Sequence, residues 1–245
     1  MSLVKSKDRP REPVSFKISE DIIVTSTGAV NIHVPLIVHV DFFPSSFKIE
    51  IFEKVIYIDP VIVDGKVPAD YILITHSHPD HFSVTDIRKL LKNETVIICP
   101  ETVYKKISGE LEGYTIIKTK PGDKMDFENI TVESIGAYNV RSGFLTPHSR
   151  SAMNVGYMIG NAYVKIYHTG DTDYTSEMKR LQNITLVLTP IDGGNLTMTT
   201  EKAAEFVNDL KPRYVIPMHY KIGTDEIEKF KSLVDSGIQV VVLDK

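Results

Sequence analysis

The sequence predicts a mixed α/β fold (α+β in its ordering) built from two sheets packed face to face, with helices outside. Three observations carry this. From about Ser15 to Ile62 the apolar residues are β-branched or alternate with polar ones, the pattern of half-buried strands. From Tyr71 onward, short continuous apolar runs alternate with segments of helical periodicity. The chain has 245 residues and 42% hydrophobic content, enough for a sizeable core without disulfides.

In the strand-rich part, Ile22-Ile-Val24, Asn31 to Val40, Phe47 to Phe52 and Val55 to Ile58 are separated by Gly28, Pro44 and Lys54. Tyr71-Ile-Leu-Ile-Thr75 reads as a buried strand, because a strand covered on both faces loses its alternation. Ser83 is placed to cap a helix whose Val84, Ile87 and Leu91 recur at i, i+3 and i+7, with Asp86 in the first turn. A strand over Val96 to Cys99 and a short helix near Glu101 to Ile107 follow. Further strands are expected at Thr115 to Lys118, Ile130 to Ile135, Asn154 to Ile159, Tyr163 to His168 and Ile184 to Thr189. Thr199 or Thr200 caps a helix over Glu201 to Leu210. Tyr214 to Met218 is a strand, Asp225 to Ser236 a helix, and Ile238 to Leu243 a final strand. No repeat or low-complexity linker interrupts the chain, so a single domain over 14–245 is expected, preceded by a flexible, charged, Pro-containing tail over 1–13.

Charge and composition exclude several classes. With 28 basic and 32 acidic residues the net charge is −4, and no basic run offers a nucleic-acid footprint. No apolar run reaches the roughly 18 residues of a membrane span. The opening residues lack the apolar stretch of an export signal, so a cytoplasmic protein acting on a small molecule is expected. Cys99, the one cysteine, lies in the apolar run Thr95 to Pro100 and reads as a core thiol. Any metal site must therefore use nitrogen and oxygen ligands. His33 and His39 fall in the apolar stretch Asn31 to Val40 and read as strand or core residues; exposed at a sheet edge, that stretch would pair two copies into a homo-oligomer.

The chemistry concentrates in Thr75-His76-Ser77-His78-Pro79-Asp80-His81, directly after a buried strand. In extended backbone, residues two apart point the same way, so His76 and His78 can grip one ion. Pro79 disfavours helix at His78 and forces a turn, which aims Asp80 and His81 at a second position. Three imidazoles and a carboxylate within six residues suit a borderline cation such as zinc. Further ligands should come from the ends of other strands. His148 lies between two expected strands, Asp171 follows the strand ending at His168, and His219 follows Tyr214 to Met218.

This series resembles the metallo-β-lactamase superfamily: His76-Ser-His78-Pro-Asp80-His81, then His148, then Gly170-Asp171-Thr172, then Pro217-Met-His219. Ile58-Asp59-Pro60, Ala137-Tyr-Asn139, Tyr167-His-Thr-Gly-Asp171 and Pro190-Ile-Asp-Gly-Gly194 are similar to the branch of metal-dependent hydrolases related to ascorbate-6-phosphate lactonase. The resemblance implies a four-layer αββα sandwich, the metallo-β-lactamase fold, with the metals at one edge of the sheets. It implies that His76, His78 and His148 hold one metal, that Asp80, His81 and His219 hold a second, and that Asp171 bridges them. Asp59 would orient the histidine loop. Where relatives often carry a Gly-His pair before the strand at Phe47, this chain has Phe43-Pro-Ser-Ser46.

The expected activity is hydrolysis of a small ester, lactone or phosphoester by a hydroxide shared between two divalent ions, zinc first, with manganese or iron as other candidates. Asp80 or His219 would move the proton. Tyr138, Asn139, Arg141 and Arg150 flank His148 and, with Asn195 and Tyr220, are candidates to line a pocket for an anionic substrate. His168 is expected to be buried and hydrogen-bonded, and Asp192 with Gly193 and Gly194 to form a turn. The competing readings are a ribonuclease or phosphodiesterase, a redox diiron protein and a non-catalytic metal scaffold. The acidic balance opposes the nuclease. Ser77 and Pro79 stand where diiron members usually have Glu, and Asp171 opposes a purely structural site.

Overall fold

The computed structural model of the chain describes residues 2–3, 12–34, 37–140, 146–194 and 196–244, with the side chains of 2–3 and 31–40 outside that description. Arg141 and Asn195, named above, therefore lie outside the described residues, as do the side chains of His33 and His39. The chain divides into two compact units, Met1–Thr119 with Leu243–Lys245, and Lys120–Val242.

The first unit contains strands β1 (Ser2–Leu3), β2 (Ser15–Ser19), β3 (Ile22–Ser26), β4 (Val30–Val34), β5 (Ile37–Phe43), β6 (Phe47–Ile51), β7 (Lys54–Ile58), β8 (Tyr71–Leu73), β9 (Val96–Pro100) and β10 (Thr115–Thr119). Its helices are α1 (Val84–Leu90) and α2 (Glu101–Ile107). Seven strands form one sheet in the order β10-β9-β8-β7-β6-β3-β2. β7, β8, β9 and β10 run parallel, and β7, β6, β3 and β2 pair antiparallel. On one face Ile72, Ile74, Ile97 and Cys99 pack with Ile87 and Leu90 of α1 and Val103 and Ile107 of α2. Ile58, Leu73 and Ile98 are fully buried as well, so the parallel strands lose their alternation. Cys99 is part of this core, and burial pushes its thiol up to about 12, which keeps it protonated and inert.

The apolar stretch Asn31 to Val40 does not run as one strand. It contributes to β4 and β5, which pair antiparallel with Val34 opposite Ile37. Ser2–Leu3, inside the segment expected to be a tail, pairs with Ile32 and His33 of β4. In the loop Phe43-Pro-Ser-Ser46, the Ser46 hydroxyl accepts from Val61 N at 3.2 Å. The Ser46 carbonyl accepts from Thr27 N, and Phe43 meets Phe47 edge-to-face at 6.1 Å.

The second unit contains β11 (Lys124–Phe127), β12 (Ile130–Gly136), β13 (Val155–Gly160), β14 (Lys165–His168), β15 (Leu186–Pro190), β16 (Tyr214–Met218), β17 (Tyr220–Lys221) and β18 (Gln239–Val240), with helices α3 (Thr200–Leu210) and α4 (Glu226–Leu233). Seven strands form its sheet in the order β11-β12-β13-β14-β15-β16-β18, antiparallel as far as β14 and parallel beyond it. Thr199 caps α3 by accepting from Lys202 N. Phe206 of α3 packs edge-to-face on Tyr167 of β14, which fixes the helix over the sheet. The last helix is shorter than the periodicity suggests, and only two residues of the final apolar run join the ladder. No helix among the described residues is long and apolar enough to cross a membrane.

Ser83 is the N-cap of α1: it is extended and its hydroxyl accepts from Asp86 N at 3.3 Å. Ser83→Ala should lower unfolding free energy by about 1 kcal/mol in urea titration. An unchanged midpoint would mean that the cap contributes nothing.

Candidate metal centre

Seven expected ligands divide between the units, with His76, His78, Asp80 and His81 in the first and His148, Asp171 and His219 in the second. His76, His78, Asp80 and His81 follow the carboxyl end of β8, Asp171 follows that of β14 and His219 that of β16, strands with a parallel neighbour, whereas His148 lies in the loop between the antiparallel strands β12 and β13.

In the first unit, the residues leaving β8 meet the residue leaving β7. Asp59, fully buried, accepts from Thr75 N at Oδ1 (2.7 Å) and from the Thr75 hydroxyl at Oδ2 (2.6 Å). His81 Nδ1 stands 2.7 Å from the same Oδ2. A carboxylate only accepts, so His81 carries its proton on Nδ1 and presents Nε2 as a lone pair. The Thr75 hydroxyl has one proton, and Asp59 takes it. Toward His76 Nδ1, 3.0 Å away, that oxygen can then only accept, so His76 is also protonated on Nδ1. Both imidazoles are thus fixed in the tautomer that offers Nε2 to a cation.

The turn at Pro79 closes on the His78 carbonyl, which accepts from His81 N (3.0 Å) and Phe82 N (2.9 Å). That fold-back brings His76 and His81 together, rings tilted by 46° with centroids 4.1 Å apart, and sets His78 edge-on to His76 at 4.6 Å. Asp80 Oδ2 lies 3.8 Å from His81 Nε2. Asp59, His76 and His81 each bring a donor atom within 4.8 Å of the others. Asp59 is nevertheless committed to its hydrogen bonds, which suits it to orient the two histidines rather than to hold an ion itself. It also adopts a left-handed conformation, φ 46°, which costs a non-glycine residue roughly 1–2 kcal/mol.

In the second unit, Asp171 Oδ2 is 3.4 Å from His219 Nε2 and 3.6 Å from His148 Nε2. Donors bound to one zinc at about 2.0–2.1 Å in a tetrahedron stand roughly 3.3–3.4 Å apart, so each of these imidazoles is spaced to share a cation with Asp171. The donor set is nitrogen and oxygen, buried, and fits a borderline divalent ion. His148 Nδ1 lies 2.9 Å from the Leu196 carbonyl, which can only accept, so this imidazole too presents Nε2. His219 directly follows β16 with φ 53°, a second strained residue just past a strand end.

His168 is buried, and its Nδ1 accepts from Gly170 N at 3.2 Å, which shapes the turn leading to Asp171. A Cβ on Gly156 would stand 2.5 Å from Thr169 O and 2.6 Å from His168 O, so only glycine lets β13 pass this turn.

The flanking polar residues are placed as follows. The Tyr138 hydroxyl donates to Glu177 Oε2 at 2.6 Å, and Arg150 pairs with Glu177 Oε1 at 2.8 Å while lying over the Tyr138 ring. Burial and the Glu177 bond raise the Tyr138 pKa, and the same bond is the main reason Glu177 is lowered. Asn139 hydrogen-bonds His148 and Leu196, and Tyr220 is buried. Asp192 does form the expected turn, with Gly193 and Gly194 at positive φ, yet its Oδ2 also lies 3.9 Å from His219 Nδ1. Thr75, Glu177 and the Leu196 carbonyl were not singled out from the sequence. Only Thr75, a hydroxyl between a strand and the histidines, carried a signal.

A family described as beta-lactamase superfamily domain matches residues 42–219. A UPF0173 protein of Pyrococcus abyssi is 34% identical over 183 residues, 72% of this chain and 80% of that protein. A UPF0173 metal-dependent hydrolase of Thermoplasma acidophilum is 33% identical over 207 residues, covering 78% and 88%. A crystal structure from Parabacteroides distasonis, provisionally named a metal-dependent hydrolase, superposes with a TM-score of 0.75 at 28% identity, over 96% of this chain and 99% of that one. The chain belongs to the metallo-β-lactamase superfamily and has its mixed α/β fold of two large sheets and few helices.

Asp59→Asn is the direct test of the loop's anchor. One amide NH2 would face a donor whichever way it turned, so unfolding free energy should fall by about 2–3 kcal/mol in denaturant titration. A change within ±0.5 kcal/mol would remove Asp59 from this role.

Proposed function

We propose that this chain is a metal-dependent hydrolase that cleaves a small ester, lactone or phosphoester with water. His76, His78 and His148 would hold one divalent ion, and Asp80, His81 and His219 a second, with Asp171 bound to both. Zinc suits these donors best, and manganese and iron suit them next. The observation that carries the reading is the Asp171 carboxylate oxygen between two imidazole nitrogens at 3.4 and 3.6 Å. The name metal-dependent hydrolase borne by the Thermoplasma acidophilum relative supports it.

When bound, a pair of divalent ions supplies Lewis acidity and a water acidic enough to be a nucleophile near neutral pH. The protein's own part is to hold the donors in one arrangement. Asp59 and Thr75 fix the tautomers of His81 and His76, and the Leu196 carbonyl fixes that of His148. Asp80 keeps some access to solvent, with a side chain 12% exposed, and is the carboxylate suited to pass a proton to the leaving group; His219 is the alternative. No serine, cysteine or lysine nucleophile is required, and the inert Cys99 thiol agrees with that. The acidic balance of the chain favours a small substrate over a nucleic acid.

Metal analysis of the purified protein should find about two equivalents of zinc, manganese or iron. Turnover of bis-(p-nitrophenyl) phosphate or of a lactone panel should vanish on chelation and return with added metal. Asp171→Ala should reduce that turnover by at least about 100-fold, beyond the roughly 10–100-fold typical of residues that only support a ligand. Undiminished hydrolysis by Asp171→Ala, or by metal-free protein, would rule the mechanism out.

A further inference from the structure

We propose that Asn139 is a positioning residue that locks the His148 imidazole in orientation and tautomer, and that holds His148 at its separation from Asp171. The inference rests on the reading of His148 as a ligand. Asn139 is 8% exposed, and its main-chain N, Oδ1 and Nδ2 each have a protein partner. Its main-chain N donates to His148 O at 2.8 Å, and its Oδ1 accepts from His148 N at 3.1 Å. Its Nδ2 donates to Leu196 O at 3.0 Å, and that same carbonyl accepts from His148 Nδ1 at 2.9 Å. The amide orientation is unambiguous, because Oδ1 faces an N–H and Nδ2 faces a carbonyl.

One side chain therefore closes a ring through the His148 main chain and the carbonyl that sets its tautomer. The residues on either side of Asn139 are tied to the segment following Asp171. Tyr138 N donates to Thr172 Oγ1 at 3.0 Å, Asp173 N donates to Tyr138 O at 3.0 Å, and Val140 N donates to Asp173 Oδ2 at 2.8 Å. The segment 138–140 is thus a spacer between two donors, pinned to Asp171's neighbours by its backbone and to His148 by the Asn139 amide. Truncating the amide leaves the backbone ties in place and releases the imidazole. Substrate contact, the role suggested by its position in the sequence, would leave the amide facing solvent or substrate instead of filled by protein groups.

Two readouts test this without relying on turnover. In metal-free protein, nitrogen-15 shifts should show His148 protonated on Nδ1 in wild type and exchanging between tautomers in Asn139→Ala. In cobalt titrations followed by absorption, Asn139→Ala should weaken one of two bound ions by about 10–100-fold and leave the other unchanged. The same substitution in a His148→Ala background should have no further effect on cobalt affinity, because Asn139 acts only through His148. Asn139→Asp keeps the acceptor for His148 N and loses the donor to Leu196 O; it should fall between the two and serves if the alanine variant does not fold. An unchanged His148 tautomer with unchanged cobalt affinity, or an equal loss in both backgrounds, would overturn the proposal. Wild-type protein that binds no cobalt yet shows the tautomer shift would instead overturn the metal reading and leave the positioning role standing.

Discussion

The Asp59 carboxylate is the constraint on which the first donor set depends. It sits at the end of β7 and takes hydrogen bonds from the residue leaving β8 and from a histidine beyond the Pro79 turn. Those bonds join two neighbouring strand ends to a loop that local propensity alone would leave mobile. They also decide chemistry, because a proton held on Nδ1 makes Nε2 the donor atom. The strain at Asp59, roughly 1–2 kcal/mol, is small beside charge-assisted bonds in a buried setting.

The second unit solves the same problem with backbone. The Leu196 carbonyl sets the His148 tautomer, Gly170 N engages His168, and the glycine at 156 lets β13 approach the turn before Asp171. Strand ends that must project side chains past a sheet need abrupt changes of direction, and His219 makes one by adopting φ 53°. Strands with a parallel neighbour thus carry Asp171 and His219, a loop between antiparallel strands carries His148, and short irregular segments aim them.

Much of this was legible in the sequence, for identifiable reasons. Three imidazoles and a carboxylate within six residues after a buried strand form a dense set of cation donors, and Ser83 marks the next helix by its capping chemistry. Other features were hidden. A backbone carbonyl has no residue identity, so Leu196 could not be foreseen. Glu177 is a single acid in a polar loop, and Tyr138 and Arg150, read as pocket candidates, bind it. β11 alternates over only four residues and has no buried run to announce it. Asn31 to Val40 looked continuous because apolar content outweighed the signal of Pro35.

Buried acceptors thus fix the imidazoles of His76, His81 and His148 in the protein itself, without any ion. Long-range proton–nitrogen correlation spectra of the metal-free protein, with histidine nitrogens assigned by single substitutions, test it most directly. His76, His81 and His148 should each appear as the Nδ1-protonated tautomer, with His168 protonated on Nε2. A His81 protonated on Nε2, or all four averaging between tautomers, would contradict the account.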